Sequence, residues 1–176
     1  RSNEKGFLNE ESPYQIKWWD SLKRNLELKE KFSKNNNPID DEYFINNLEK
    51  ELSLVIQEQS NSSDVPIGSF LSGGIDSTLI TTLLQKKSVL PIKSFTIKFD
   101  GINDIQENYD ESGFAKKIAN HLGTDHTEIS VCASDVLRVI PNIAKVYSEP
   151  FSDSSQIPTF IICENIKSRG ISVALS

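Results

Sequence analysis

From Val65 onward, short apolar runs alternate with stretches whose apolar residues recur at helical spacing. That pattern predicts a parallel sheet with helices on its faces. Strands are expected at 65–71, 92–99 and 126–131, with a last one opening at Ile171. Helices are expected at 76–87, at 110–121 with Gly123 as terminator, at 134–148 and at 157–168. Pro141 should kink the 134–148 helix or split it in two. Right-handed crossovers then give a doubly wound α/β sheet, for which the expected strand order is 3-2-1-4. Its reversal, and so its ligand crevice, would lie between strands one and four. Upstream, Asp40 to Gln59 carries Phe44, Leu48, Leu52, Val55 and Ile56 at helical spacing, a stripe that reads as core packing. Asn61-Ser62-Ser63-Asp64 should break that helix. Residues 1–37 are polar and lack a clean period, with Trp18 and Trp19 as large anchors, and read as an arm or interdomain linker ending in Ser33-Lys34-Asn35-Asn36-Asn37-Pro38. The domain proper is then 38–176.

The junction between the first strand and its helix carries the chemistry. Phe70-Leu71-Ser72-Gly73-Gly74-Ile75-Asp76-Ser77-Thr78 joins them through a turn built for phosphate. Two glycines let an anion approach the main chain and permit positive φ, and the following helix offers free N–H groups and its positive pole. The hydroxyls of Ser72, Ser77 and Thr78 could add donors. A carboxylate at Asp76 would repel a polyphosphate unless a divalent cation lay between them, so Asp76 points to Mg²⁺ and the whole run to ATP. The plainer alternative is that Asp76 and Ser77 only cap a helix. Neither G-x-x-x-x-G-K-[ST] nor G-x-G-x-x-G occurs anywhere.

Composition narrows the partners. The 176 residues carry a net charge of −6 with a pI near 5.0, and the pairs Lys86-Lys87 and Lys116-Lys117 fall on solvated helix faces rather than in a basic stripe. That argues against nucleic acid. Cys132 and Cys163 have neither C-x-x-C spacing nor a neighbouring His, so reduced thiols are expected rather than a disulfide or zinc site. No membrane-length apolar stretch or signal pattern is seen, and a cytoplasmic protein is expected. The chain opens at Arg1, contains no Met and ends at Ser176 on a strand-like run, so a piece of something longer, truncated within its sheet, is expected.

The Ser72–Ser77 run resembles the S-G-G-x-D-S pyrophosphate loop of the N-type ATP pyrophosphatases, whose fold is adenine nucleotide alpha hydrolase-like. Two further segments are similar to the synthetase domain of glutamine-hydrolysing asparagine synthetases. One is Asp110-Glu111-Ser112-Gly113-Phe114-Ala115 with Ala119-Asn120-His121-Leu122-Gly123-Thr124-Asp125-His126-Thr127-Glu128-Ile129; the other runs from Glu149-Pro150-Phe151-Ser152-Asp153-Ser154-Ser155 to Thr159. The resemblance covers about 65–176. A weaker echo at Lys17-Trp18-Trp19-Asp20-Ser21 is similar to the segment joining that family's glutaminase and synthetase domains.

The resemblance implies that Ser72, Gly73, Gly74 and Ser77 hold the β and γ phosphates and that Asp76 ligates Mg²⁺. It also implies that the main chain at Leu71 and Ile97 frames the adenine and that Ser176 helps hold the nucleotide. The implied chemistry is adenylation of the aspartate side-chain carboxylate, release of pyrophosphate, and attack by ammonia derived from glutamine. Glu149, Asp153, Ser154 and Ser155 stand as a candidate acceptor or metal cluster, or equally as a helix cap with Asp153 or Ser154 at its N-cap. No general base is assigned, because a carboxylate is already a nucleophile. His121 is expected to pack near its helix end and His126 to open a strand.

A glutaminase domain and the family's second acidic loop are both expected to be missing from this chain, so the fragment alone is expected to be inactive. Two other readings stay open. One is a related amidotransferase or cyclase acting on a sugar, peptide or β-amino acid. The other is a non-catalytic ATP-binding module. Amide donor and oligomeric state, homodimer included, also stay open.

Overall fold

Four parallel strands form the sheet in a computed structural model that describes residues 19–33, 41–101, 110–149 and 152–176. They are β1 (Ile67–Phe70), β2 (Lys93–Phe99), β3 (Asp125–Val131) and β4 (Val173–Leu175), in the order β3-β2-β1-β4. This is the expected doubly wound arrangement, with the strand order reversing between β1 and β4. The register aligns Phe70 with Phe95 and Phe95 with Thr127, while Ser69 aligns with Leu175. The helices are α1 (Ser21–Ser33), α2 (Asp41–Asn61), α3 (Ile75–Lys87), α4 (Ser112–Leu122), α5 (Ala133–Val146) and α6 (Gln156–Ser168).

The chain divides into two compact units, 1–44 and 45–176. In the first, α1 occupies a stretch whose polar sequence shows no clean helical period. Asp20 starts it by accepting a hydrogen bond from the Lys23 N–H at 3.0 Å. Lys17, Trp18 and the linker beyond Ser33 lie outside the described residues.

In the second unit, side chains alternate between the two sheet faces, and the faces differ in chemistry. One carries Phe95, Ile129 and Val131, packed with Val139 of α5 and Ile161, Ile162 and Ile166 of α6. Gly68 belongs to that face, where an added Cβ would lie 2.9 Å from the Phe95 ring and 3.1 Å from Ile171, so only glycine leaves room for them. The opposite face carries hydroxyls. Ser69 on β1 and Ser94 and Thr96 on β2 are buried there beneath α3 and α4, whose own inward residues include Thr81, Ala115 and Ala119.

One expectation narrows and another changes. Of the kink or split expected at Pro141, the split does not occur: α5 runs unbroken from Ala133 to Val146. A proline one or more turns into a helix forgoes a single N–H donor, here toward the exposed Leu137, and amphipathic packing of Val136, Val139 and Ile143 on the core offsets that loss. The α2 stripe is also only partly core. Ile56 is buried with Leu83, Leu84 and Ile92, and Leu52 packs beside them, but Phe44, Leu48 and Val55 are about half exposed. Spacing marks a shared helix face, while burial depends on how far the neighbouring elements reach. Among the described residues no helix is long and apolar enough to cross a membrane.

Candidate active site

The loop between β1 and α3 emerges at the carboxyl end of the sheet, where strand ends in open α/β folds leave their crevice. Leu71 follows β1 directly, is fully buried, and its N–H donates to the Phe95 carbonyl at 2.8 Å, anchoring the loop's first residue to β2. Gly73 adopts φ +94°, and an added Cβ would meet Phe114 Cβ at 3.1 Å, Ala115 N at 3.2 Å and the Glu111 carbonyl at 3.3 Å. Any side chain would therefore be strained twice, by its backbone angle and by the first turn of α4 pressed against it.

Gly74 is the N-cap of α3, in extended conformation with φ −70° and ψ 165°. A Ser, Thr or Asp there would spend its side chain on the first-turn N–H groups. Glycine has none, so the donors of Ile75, Asp76 and Ser77 stay available to an anion at the positive end of the helix. Ser72 and Ser77 brace the turn: their hydroxyl oxygens are 2.9 Å apart, the Ser72 N–H donates to Ser77 Oγ at 3.2 Å, and the Gly74 N–H donates to Ser72 Oγ at 3.2 Å. Asp76 stands exposed in the first turn of α3, and nothing among the described residues pairs with its carboxylate.

Beneath the loop lies a support that sequence reading missed. Thr81 Oγ1 donates to the Ser77 carbonyl at 2.7 Å and so must accept from Ser69 Oγ, also 2.7 Å away. Both side chains are fully buried. The available signal was a serine and a threonine at inward positions of otherwise apolar elements.

The structure gathers most of the expected nucleotide residues at one end of the sheet. Ile97 lies two residues beyond Phe95 on β2, and Ser176 follows Leu175, the register partner of Ser69. Thr78 departs from expectation, since its hydroxyl is buried without a partner and the residue lines a cavity with Thr82, Lys117 and His121 on the flank of α3 and α4. Both histidines sit away from the loop. His121 is exposed near the end of α4; His126 Nδ1 lies 2.9 Å from Ser94 Oγ near the start of β2, and burial pushes its imidazole below the ordinary range.

Glu149, Asp153, Ser154 and Ser155 are exposed between α5 and α6, and none is in hydrogen-bonding contact with the loop among the described residues. The N-cap of α6 is Ser155 rather than Asp153 or Ser154. Asp153 instead accepts from the Ser155 N–H at 2.8 Å, a bond that holds its carboxyl below the usual range. Because α6 ends where β4 begins and spans about 20 Å, its first turn points toward the loop's end of the sheet. Pro150 and Phe151 lie outside the described residues.

Among the described residues, no group of three or more His, Cys, Asp or Glu could enclose a metal. A family model for asparagine synthase matches residues 47–176. The chain belongs to the asparagine synthase family. It is 32% identical over 132 residues to asparagine synthetase [glutamine-hydrolyzing] 1 of Bacillus subtilis, covering 73% of this chain and 20% of that protein. Over 115 residues it is 32% identical to a putative asparagine synthetase [glutamine-hydrolyzing] 2 of Methanocaldococcus jannaschii, covering 65% and 21%. Asparagine synthetase B of Escherichia coli is 29% identical over 146 residues, covering 72% and 25%. The chain thus spans about a fifth to a quarter of the length of these curated relatives. Among solved structures, an NH3-dependent NAD synthetase from Campylobacter jejuni superposes with a TM-score of 0.47 at 15% identity, covering 73% of this chain and 54% of that one. Membership bears out the resemblance carried by the loop and its two companion segments.

Proposed function

We propose that this chain is the ATP-binding part of an asparagine-forming synthetase, activating the aspartate side-chain carboxylate as an acyl adenylate. The observation that carries the reading is the loop itself: a glycine at φ +94° seated against α4, a glycine N-cap that leaves helix donors open, and an unpaired carboxylate two residues later. Ser72, Gly73, Gly74 and Ser77 would hold the β and γ phosphates. The main chain at Leu71 and Ile97, with Ser176, would frame the adenosine. Asp76 would ligate Mg²⁺, which supplies charge neutralisation to the departing pyrophosphate.

The acceptor carboxylate oxygen would attack the α-phosphorus as the bond to the bridging oxygen breaks, and pyrophosphate leaves. Ammonia would then add to the acyl carbon, AMP would depart, and the nitrogen would lose a proton to give the amide. Glu149, Asp153, Ser154 and Ser155 are the proposed acceptor side, supported by the direction in which α6 points. Because the chain covers about a fifth to a quarter of its relatives, the 176 residues alone are expected to bind Mg-ATP weakly and not to make asparagine.

Pyrophosphate–ATP exchange tests the proposal, run with a panel of carboxylic acids on a polypeptide of the relatives' length that carries this stretch. Aspartate-dependent exchange that disappears in Asp76→Ala supports it. Exchange with another acid alone points to a different acceptor, and ATP binding without exchange points to a binding module.

A further inference from the structure

Under the C-terminal end of α4 lies a row of polar side chains that the nucleotide reading does not use. The Ser94 hydroxyl is fully buried on β2 and touches two partners, Thr124 Oγ1 at 2.7 Å and His126 Nδ1 at 2.9 Å. The other ring nitrogen, His126 Nε2, is buried without a partner. That orphan decides where the protons lie. A buried N–H without an acceptor is costlier than a bare lone pair, so the neutral ring carries its proton on Nδ1 and donates it to Ser94, which donates in turn to Thr124. Thr124 follows Gly123, the left-handed C-cap of α4, and its N–H donates to the Ala119 carbonyl at 3.1 Å. Ala119 and Ala115 pack on Leu71, the first residue of the loop. A continuous row of contacts thus runs from His126 through α4 to the loop.

The charged groups that act on the ring are Glu128, two residues further along the same face of β3, and Lys116 of α4, paired with each other at 3.5 Å. Beside them β2 presents the uncharged Ser94 and Thr96, and His121 of α4 is exposed. A proton added at Nε2 would stand where no acceptor meets it. It would also draw Glu128 away from Lys116 and repel Lys116 itself, so all three effects act against α4 lying on the sheet. We propose that His126 is a proton-sensitive latch on α4. Neutral, it fastens the C-terminal end of the helix and keeps the first turn seated against Gly73; protonated, it releases the helix and loosens the loop. That a loosened loop holds Mg-ATP less tightly rests on the nucleotide reading above; the latch itself does not.

The test follows the imidazole nitrogens and backbone amides of the isotope-labelled 176-residue chain by magnetic resonance as the solution is acidified from about pH 8 to about pH 5, without nucleotide. At neutral pH His126 should show a protonated Nδ1 and a bare Nε2, and amide shifts at 112–124 and 72–77 should follow its titration. His126→Gln, which cannot take up the proton, should abolish those shifts, and His121→Gln should keep them. Should His126→Gln fail to fold, the titration of the parent chain still decides. In calorimetry, acidification should weaken Mg-ATP binding to the parent about fivefold more than to His126→Gln, a comparison that cancels protonation of the nucleotide itself. The latch is overturned if Nε2 carries the proton at neutral pH, if 72–77 stay still while His126 titrates, or if His126→Gln keeps the parent's shifts. Equal losses of affinity overturn its reach to the ligand. Failure to bind Mg-ATP at any pH counts against the nucleotide reading instead, and the resonances then decide the latch alone.

Discussion

The two faces of the same four strands do different work, and the contrast explains where a ligand site could arise. Toward α5 and α6 the sheet shows Phe95, Ile129 and Val131, side chains that hold helices at a distance set by their bulk. Toward α3 and α4 it shows Ser69, Ser94 and Thr96, and the helices answer with Thr81, Ala115 and Ala119. Small residues on both sides allow close approach, and close approach is what presses the first turn of α4 against Gly73. The aliphatic face supplies stability; the hydroxyl face supplies position.

The aliphatic face should therefore fail in stability and the hydroxyl face in loop geometry. The largest expected effect is Phe95→Ala, which empties a fully buried site and should cost about 3–5 kcal/mol in denaturant unfolding. A loss below about 1 kcal/mol would mean that the α5/α6 face collapses around the gap. Gly73→Ala comes next, at about 1–3 kcal/mol of backbone strain. Its stronger consequence should be loss of measurable Mg-ATP binding by calorimetry while the circular dichroism spectrum is kept. Retained binding would show that α4 can retreat from the loop.

Thr81→Val should cost about 1–3 kcal/mol, because the Ser77 carbonyl loses its donor and Ser69 its acceptor. Ser69→Ala should cost less, since the Thr81–Ser77 bond survives it. Equal costs would contradict the direction assigned to this relay.

The gentlest effect is a pH dependence. Burial lowers the pKa of His126, with Glu128 pulling it up and Lys116 pushing it down across a 3.5 Å ion pair. The folded state thus favours the neutral ring. Its contribution is fully present above the unfolded value near 6.5 and is lost as pH falls through that value toward the lower folded one. His126→Gln should flatten the stability profile below pH 6.5. An unchanged slope would assign the acid sensitivity to carboxylates.

The strands, their order and the loop were legible because each follows from local rules: strand-length apolar runs, right-handed crossovers, and glycines beside hydroxyls and a carboxylate. What was not legible depended on neighbours. The α2 stripe at Phe44, Leu48 and Val55 has the period of a core helix, but period carries no information about what stands opposite. Helix α1 is held by its Asp20 cap where hydrophobic spacing is silent. Thr78 belongs to the motif by sequence yet turns to the flank of α3, because successive helical residues are about 100° apart. Whether Glu149 and Asp153 meet the loop depends on the path between α5 and α6, which no spacing encodes.

Ser72 and Ser77 have a consequence for how an anion would be felt in solution. Their hydroxyls already bond to each other and to the turn, so an arriving phosphate exchanges hydrogen bonds rather than adding them. Little heat should then come from these two side chains. What remains is attraction between a polyanion, its metal and a helix pole, and such attraction fades as ions accumulate in solution. Nucleotide affinity in this protein should follow ionic strength more closely than temperature.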